Sequence, residues 1–210
     1  MRAAVRADKN VSVLRIKSQL ANRENILIPD LYLRLRDRDP MMVVAWSQSF
    51  GGIANCEIGV GDVTAVRVDA AVSPANSFGY MDGGVDLAYR NYFGLGVQAT
   101  VQQAIARRCG ADGLPVGQAL IVATGSKRIP RLIVAPTMKT PRDIRGTDYV
   151  YQAFRAALNA VAEYNARIKA DSDPIHAIVT PGLGVGVCRM DHFDAADQML
   201  RAYEEWIQTS

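Results

Sequence analysis

Residues 72–86 read VSPANSFGYMDGGVD. The stretch leaves an apolar run, VDAAVS, breaks at Pro74, and then gathers Asn76, Ser77, three glycines and two acids before the helical pattern DLAYRNYF begins. A short apolar run stopped by turn-forming residues is the signature of a buried strand. Residues 180–191, TPGLGVGVCRMD, repeat the device between the apolar run IHAIV and a second helical pattern. Each stretch therefore predicts a strand, a glycine loop and a helix. In α/β sheets ligands bind beyond the carboxyl ends of the strands. Successive N–H groups of such loops converge on anions, and a helix start adds unpaired donors and a positive dipole end. Two loops of this kind predict a grip on a diphosphate from opposite sides.

The rest of the chain fits an α/β domain with a sheet covered on both faces. Residues 25–37, NILIPDLYLRLRD, alternate with period two through Leu31, Leu33 and Leu35, which predicts a strand. Pro40 opens the next helix and Gly51-Gly52 stops it. ANCEIGVGD, VDAAVSP, QALIVATG, RLIVAPTM and IHAIVTPG read as further strands. GGVDLAYRNYFG and GVQATVQQAIARRCG read as helices closed by glycine. A long helix follows Thr147, its expected N-cap, with Val150, Phe154, Leu158 and Val161 on one face. A last helix starts near Met190 or Asp191. Residues 1–24 carry a weaker helical pattern and are expected to form an N-terminal extension to a domain of residues 25–210.

Composition narrows the function classes. Of 210 residues, 49% are hydrophobic and 21% charged, and no apolar run is long enough for a membrane span. The reading is a cytoplasmic protein. The net charge of +3 is uneven, with nine basic and five acidic residues in 1–40 and a near-balanced remainder, so the body is no basic nucleic-acid platform. Cys56, Cys109 and Cys188 are three and scattered, and His176 and His192 are the only histidines. That predicts neither a disulfide framework nor a metal site.

Gly182, Gly184 and Gly186 form GxGxG, yet only 24 residues follow Gly186. They suffice for one helix and no further strand, so a dinucleotide-binding Rossmann turn is excluded. The set instead resembles the macro domain family. GDVT (61–64), AVSPANS (71–77), DGGVD (82–86), LPVGQALIVATG (114–125) and TPGLGVGVC (180–188) are similar to the motifs of that family, in its order.

The resemblance implies a three-layer α/β/α sandwich with a mixed, mostly parallel sheet that binds ADP-ribose or a derivative, with no cofactor and no metal. It implies that Asp62, with Val63 beside it, accepts from the adenine amino group. A carboxylate accepts and cannot donate, so it selects an amino-bearing purine edge. Asn76 would hold the distal ribose. Gly83, Gly84 and Val85 would line diphosphate and ribose from one side, and Gly182, Gly184, Val185, Gly186 and Val187 from the other. Asp86 matches an acid of the hydrolytic branch, with Asn76 as its catalytic companion. Asp86 sits in the first helical turn, where the dipole is expected to lower its pKa and suit it to orienting a water.

The pattern departs from the family at Val187, Cys188 and Arg189, where an aromatic residue and a proline are common, and at Asp82, where a glycine is common. Arg189 or Lys127 would add a charged contact. Of Phe78, Tyr80 and Tyr92, at least two are expected in the core. The polar loop 137–148 has no role legible from sequence. The expected activity is release of ADP-ribose from a modified target by breaking the bond at the distal ribose C1″. A binding module without turnover and an ADP-ribose 1″-phosphate phosphatase stay open. So does the nature of the target, which nucleic acid could supply as well as protein.

Overall fold

The computed structural model describes residues 31–168 and 173–209. The expected extension, residues 1–24, and the first part of the strand expected at 25–37 lie outside the described residues.

Six strands form one sheet: β1 (Tyr32–Asp37), β2 (Cys56–Val60), β3 (Ala70–Ser73), β4 (Leu120–Ala123), β5 (Arg131–Val134) and β6 (Ala177–Thr180). Their order is β2-β1-β6-β3-β5-β4. All neighbours are parallel except β4 and β5, which pair antiparallel. Five α-helices accompany the sheet among the described residues: α1 (Pro40–Ser49), α2 (Gly84–Phe93), α3 (Gly96–Cys109), α4 (Tyr149–Arg167) and α5 (His192–Thr209).

Period-two alternation sorts the strand side chains into two cores. Leu33, Leu35, Ala70, Val72, Ile133 and Ile178 face α1, α4 and α5 through Trp46, Phe154, Leu158 and Tyr203. Ala71, Leu120, Val122, Leu132, Val134 and Val179 face α2 and α3 through Tyr89, Val97, Val101 and Ile105. The result is the three-layer sandwich with a mixed, mostly parallel sheet. Trp46, Phe154 and Tyr89 are fully buried, and each side chain contributes about 1.5–3 kcal/mol of burial.

Local signals place the helix ends. Asp39 caps α1, its Oδ1 accepting from the Met41 amide at 2.9 Å, with Pro40 in the first turn. Asp191 caps α5, accepting from the amides of Phe193 and Asp194 at 2.9 and 3.3 Å. The cap of α4 is Asp148, one residue past the expected Thr147. Thr147 still accepts weakly from the Tyr149 amide at 3.4 Å, while its hydroxyl donates to the Ile144 carbonyl. Gly94 and Gly110, both at positive φ, follow α2 and α3. No helix of the described residues is long and apolar enough to cross a membrane.

Because β1, β2, β3, β5 and β6 run parallel, the loops leaving them emerge at one edge of the sheet. Both glycine loops are among them, and so is the turn after β1. The β4–β5 hairpin, which carries Lys127, lies at the opposite edge.

Candidate functional site

A cleft of about 510 Å³ opens at the edge where the parallel strands end. The first glycine loop and the start of α2 form one wall with Gly83, Gly84, Val85 and Asp86. The second forms the facing wall with Gly182, Gly184, Val185, Gly186 and Val187. Asp62 and Val63 line the cleft from the loop after β2, and Thr137 and Met138 from the loop after β5. The fold thus brings together every site residue expected from sequence except Asn76.

The glycines divide into two kinds. A Cβ on Gly83 or Gly186 would meet nothing within 4 Å, so these positions border open space in the cleft. Gly184 has φ +74°, and a Cβ there would come within 2.7 Å of Val150. A Cβ on Gly182 would come within 2.7 Å of the Met42 sulfur. The second loop is therefore pressed on the core at Gly182 and Gly184 and bare toward the cleft at Gly186. Asp37, at the end of β1, holds it: Oδ2 accepts from the Gly182 amide at 2.8 Å. The loop after β5 fastens both walls. Met138 bridges to Asn76, and the Ile144 amide donates to the Cys188 carbonyl at 3.0 Å.

Asn76 does not line the cleft. Its Oδ1 accepts from the amides of Phe78 and Tyr80 at 3.0 and 3.3 Å, and its Nδ2 donates to the Tyr80 carbonyl at 3.0 Å. The side chain shapes its own loop, the local bonding that Asn offers a turn.

Asp62 begins a short 3-10 turn, Val63–Ala65, and Oδ1 accepts from the Thr64 amide and hydroxyl, both at 2.8 Å. Oδ2 is bonded to Arg38. Partial burial works against ionisation, but the Thr64 and Arg38 bonds outweigh it and hold the carboxyl below its usual range.

Asp86 reverses the expectation. It is buried, 9% exposed, in the first turn of α2, and Ser73 Oγ donates to its Oδ1 at 2.5 Å. Burial pushes its pKa up to about 7, against the lowering pull of Ser73. The helix start was expected to lower it; loss of water around the charge outweighs the dipole. Tyr89, one turn on, is fully buried and donates to the Val72 carbonyl at 3.1 Å. Burial and then the Asp86 charge drive its phenol upward.

Several cleft residues escaped the sequence reading. Arg36 and Asp37 line the cleft from the end of β1, Arg38 and Asp39 from the turn after it, and His192 from the start of α5. His192 Nε2 lies 2.9 Å from Asp39 Oδ2. Their signal in the sequence is RDRDP, a charged turn that closes a strand as the glycine loops do. Cys188 also lines the cleft, and burial raises its thiol pKa, so it stays protonated. Among the described residues no cluster of three or more His, Cys, Asp or Glu could hold a metal.

The aromatic expectation is corrected: Tyr80 and Tyr92 are 55% and 40% exposed and Phe78 is half-buried, so none joins the core. Tyr92 edges a second recess of about 420 Å³ that shares Arg38, Asp62, Gly84 and Ala88 with the cleft. Arg189 is exposed at φ 58° and Lys127 sits at the far edge; neither lines the cleft.

The Macro domain family model matches residues 72–199, more than half of the chain. The chain belongs to the macro domain family. An uncharacterized protein of Aquifex aeolicus is 32% identical to this macro domain over 127 residues, 60% of this chain and 67% of that one. An uncharacterized protein of Aeropyrum pernix is 31% identical over 62% of this chain, a match spanning 60% of its own length. A macro domain-containing protein of Streptomyces nogalater is 31% identical over 65% of this chain and 70% of its own. Solved macrodomains share the fold. That of Mycobacterium tuberculosis DarG superposes with TM-score 0.57 at 22% identity, covering 70% of this macro domain and 88% of the other chain. The Oceanobacillus iheyensis macrodomain with ADP gives 0.59 at 20% identity, covering 72% and 75%. The Trypanosoma brucei macrodomain in complex with ADP-ribose gives 0.52 at 18% identity, covering 71% and 56%.

Proposed function

We propose that this macro domain binds ADP-ribose in the cleft and hydrolyses the bond at the distal ribose C1″, releasing ADP-ribose from a modified target. The observation that carries the reading is a buried carboxylate, Asp86, in one of two glycine walls that face each other across about 510 Å³. Two of the similar structures hold ADP-ribose and ADP, which supports the nucleotide as guest.

In this reading the bare backbone at Gly83 and Gly186 approaches the diphosphate, and the N–H groups at the start of α2 meet its charge. Asp62 takes the adenine amino group. Asn76 contributes by holding the first loop in shape. Asp86 orients a water against C1″ and accepts its proton as the C–O bond to water forms. The bond from C1″ to the target breaks, the departing group takes up a proton from solvent, and Asp86 returns the proton it accepted to water. A base with pKa near the working pH is the effective one, and about 7 meets that condition. Contacts to the remote nucleotide align the reacting carbon.

The test is release of ADP-ribose from an ADP-ribosylated substrate, with calorimetric titration of free ADP-ribose beside it. The expected rate rises with pH through about 7 as Asp86 ionises, and Asp86→Ala binds ADP-ribose but does not turn over. Binding without turnover in the wild type leaves a reader module. Phosphate release from ADP-ribose 1″-phosphate alone makes it a phosphatase.

A further inference from the structure

Ser73 is the last residue of β3 and is 1% exposed. β3 lies between β5 and β6; its pairing with β6 covers Ala70 and Ala71, and its pairing with β5 runs on through Ser73, whose carbonyl accepts from the Ala135 amide at 3.0 Å. By strand alternation Ser73 shares a face with Ala71, the face packed on α2 and α3. That brings its hydroxyl to the first turn of α2, 2.5 Å from Oδ1 of Asp86. Ser73 itself does not line the cleft, whereas Asp86 does. Among the described residues Ser73 is the one side-chain donor to that carboxylate.

We infer that Ser73 is the positioning residue of the proposed hydrolysis: by tying Oδ1 to a rigid strand end it turns Oδ2 of Asp86 into the cleft, toward the water at C1″. The inference rests on the hydrolytic reading above and adds to it the group that aims the base. A hydroxyl suits the task because it donates to a carboxylate and accepts from a carboxylic acid, so the bond survives both protonation states of Asp86. The same bond favours the charged form and so offsets part of the burial penalty.

Other groups surround Asp86. Arg36, Asp37, Arg38 and Asp62 face the cleft from the strand ends and the loops after them, and Cys188 and His192 from the second loop and α5, while Tyr89 on the same helix is fully buried and feels the Asp86 charge. None of them is bonded to Asp86, which singles out Ser73 as the group to vary.

The experiment compares wild type, Ser73→Ala and Ser73→Cys, which keeps the size of the side chain but is a weak donor. kcat and KM are measured from pH 5 to 9 on an ADP-ribosylated substrate, and the Asp86 carboxyl is titrated by carbon-13 NMR in the free proteins. Ser73→Ala is expected to lower kcat roughly 10- to 100-fold with KM within about twofold, the effect of losing one hydrogen bond to a charged group that acts on chemistry and not on binding. The midpoint of the rising limb and of the NMR titration moves upward by roughly one pH unit, and Ser73→Cys falls between. An unchanged NMR midpoint in both variants, or a raised KM at unchanged kcat, overturns the role of Ser73. A wild type without turnover instead removes the hydrolytic reading, while the NMR titration still reports whether Ser73 controls Asp86.

Discussion

Arg38 Nη2 is bonded to Oδ2 of Asp62 at the edge of the cleft. With Oδ1 taken by the Thr64 amide and hydroxyl, both oxygens of the carboxylate proposed to read adenine already have partners, and Oδ2 keeps one acceptor site. The arginine side chain is 73% exposed, so the pair is a weak one to break. Arg38→Ala frees Oδ2 and is expected to tighten ADP-ribose binding by up to about fivefold in calorimetry. Weaker binding would mean that the guanidinium itself touches the ligand.

Asp86 makes stability depend on pH. Its folded pKa of about 7 lies above the ordinary aspartate value, so the folded chain holds the proton more tightly than the unfolded one. That contribution is complete below the unfolded value, near pH 4, and is lost as pH rises through about 7. Asp86→Asn cannot ionise. Its stability is expected to gain on wild type progressively from pH 4 to about 7, by on the order of 4 kcal/mol, and its melting temperature to rise with it. Thermal melts across that range check it, and a pH-independent difference would contradict it.

The glycines of the second loop should separate folding from binding. Gly184→Ala forces a Cβ at φ +74° against Val150 and is expected to cost about 1–3 kcal/mol in denaturant melts. Gly186→Val meets open space, so stability should hold while ADP-ribose affinity falls at least about tenfold. Equal loss of stability in both variants would refute the division.

Asp37 joins the turn after β1 to the second glycine loop, accepting from the amides of Asp39 at 2.9 Å and Gly182 at 2.8 Å. Asp37→Ala leaves both N–H groups without that acceptor and is expected to cost about 1–3 kcal/mol. Hydrogen exchange at Gly182 should rise before exchange in β6 does. Unchanged protection at Gly182 would show that the loop is held by other means.

Local chemistry wrote most of this molecule plainly into its sequence. Alternation at Leu31, Leu33 and Leu35 depends only on neighbouring residues, as does the helical spacing from Val150 to Val161. Glycines before two helices marked both walls of the cleft for the same reason. The folded arrangement decided the rest. Strand order set which turns share an edge, so Arg38 and Asp39 meet Asp62 and His192 only after β1 is placed between β2 and β6. Asn76 carried the residue type for a sugar contact, but its own loop offered three nearer partners. Asp86 shows the division most sharply. Its place in a helix start is a local fact that argues for a low pKa, whereas burial against Ser73 and Tyr89 exists only in the folded chain and reverses the sign. Hydrogen-bond periodicity is carried by adjacent residues, and desolvation is imposed by distant ones; that is why the elements and the glycine walls could be read and the chemistry of the acid between them could not.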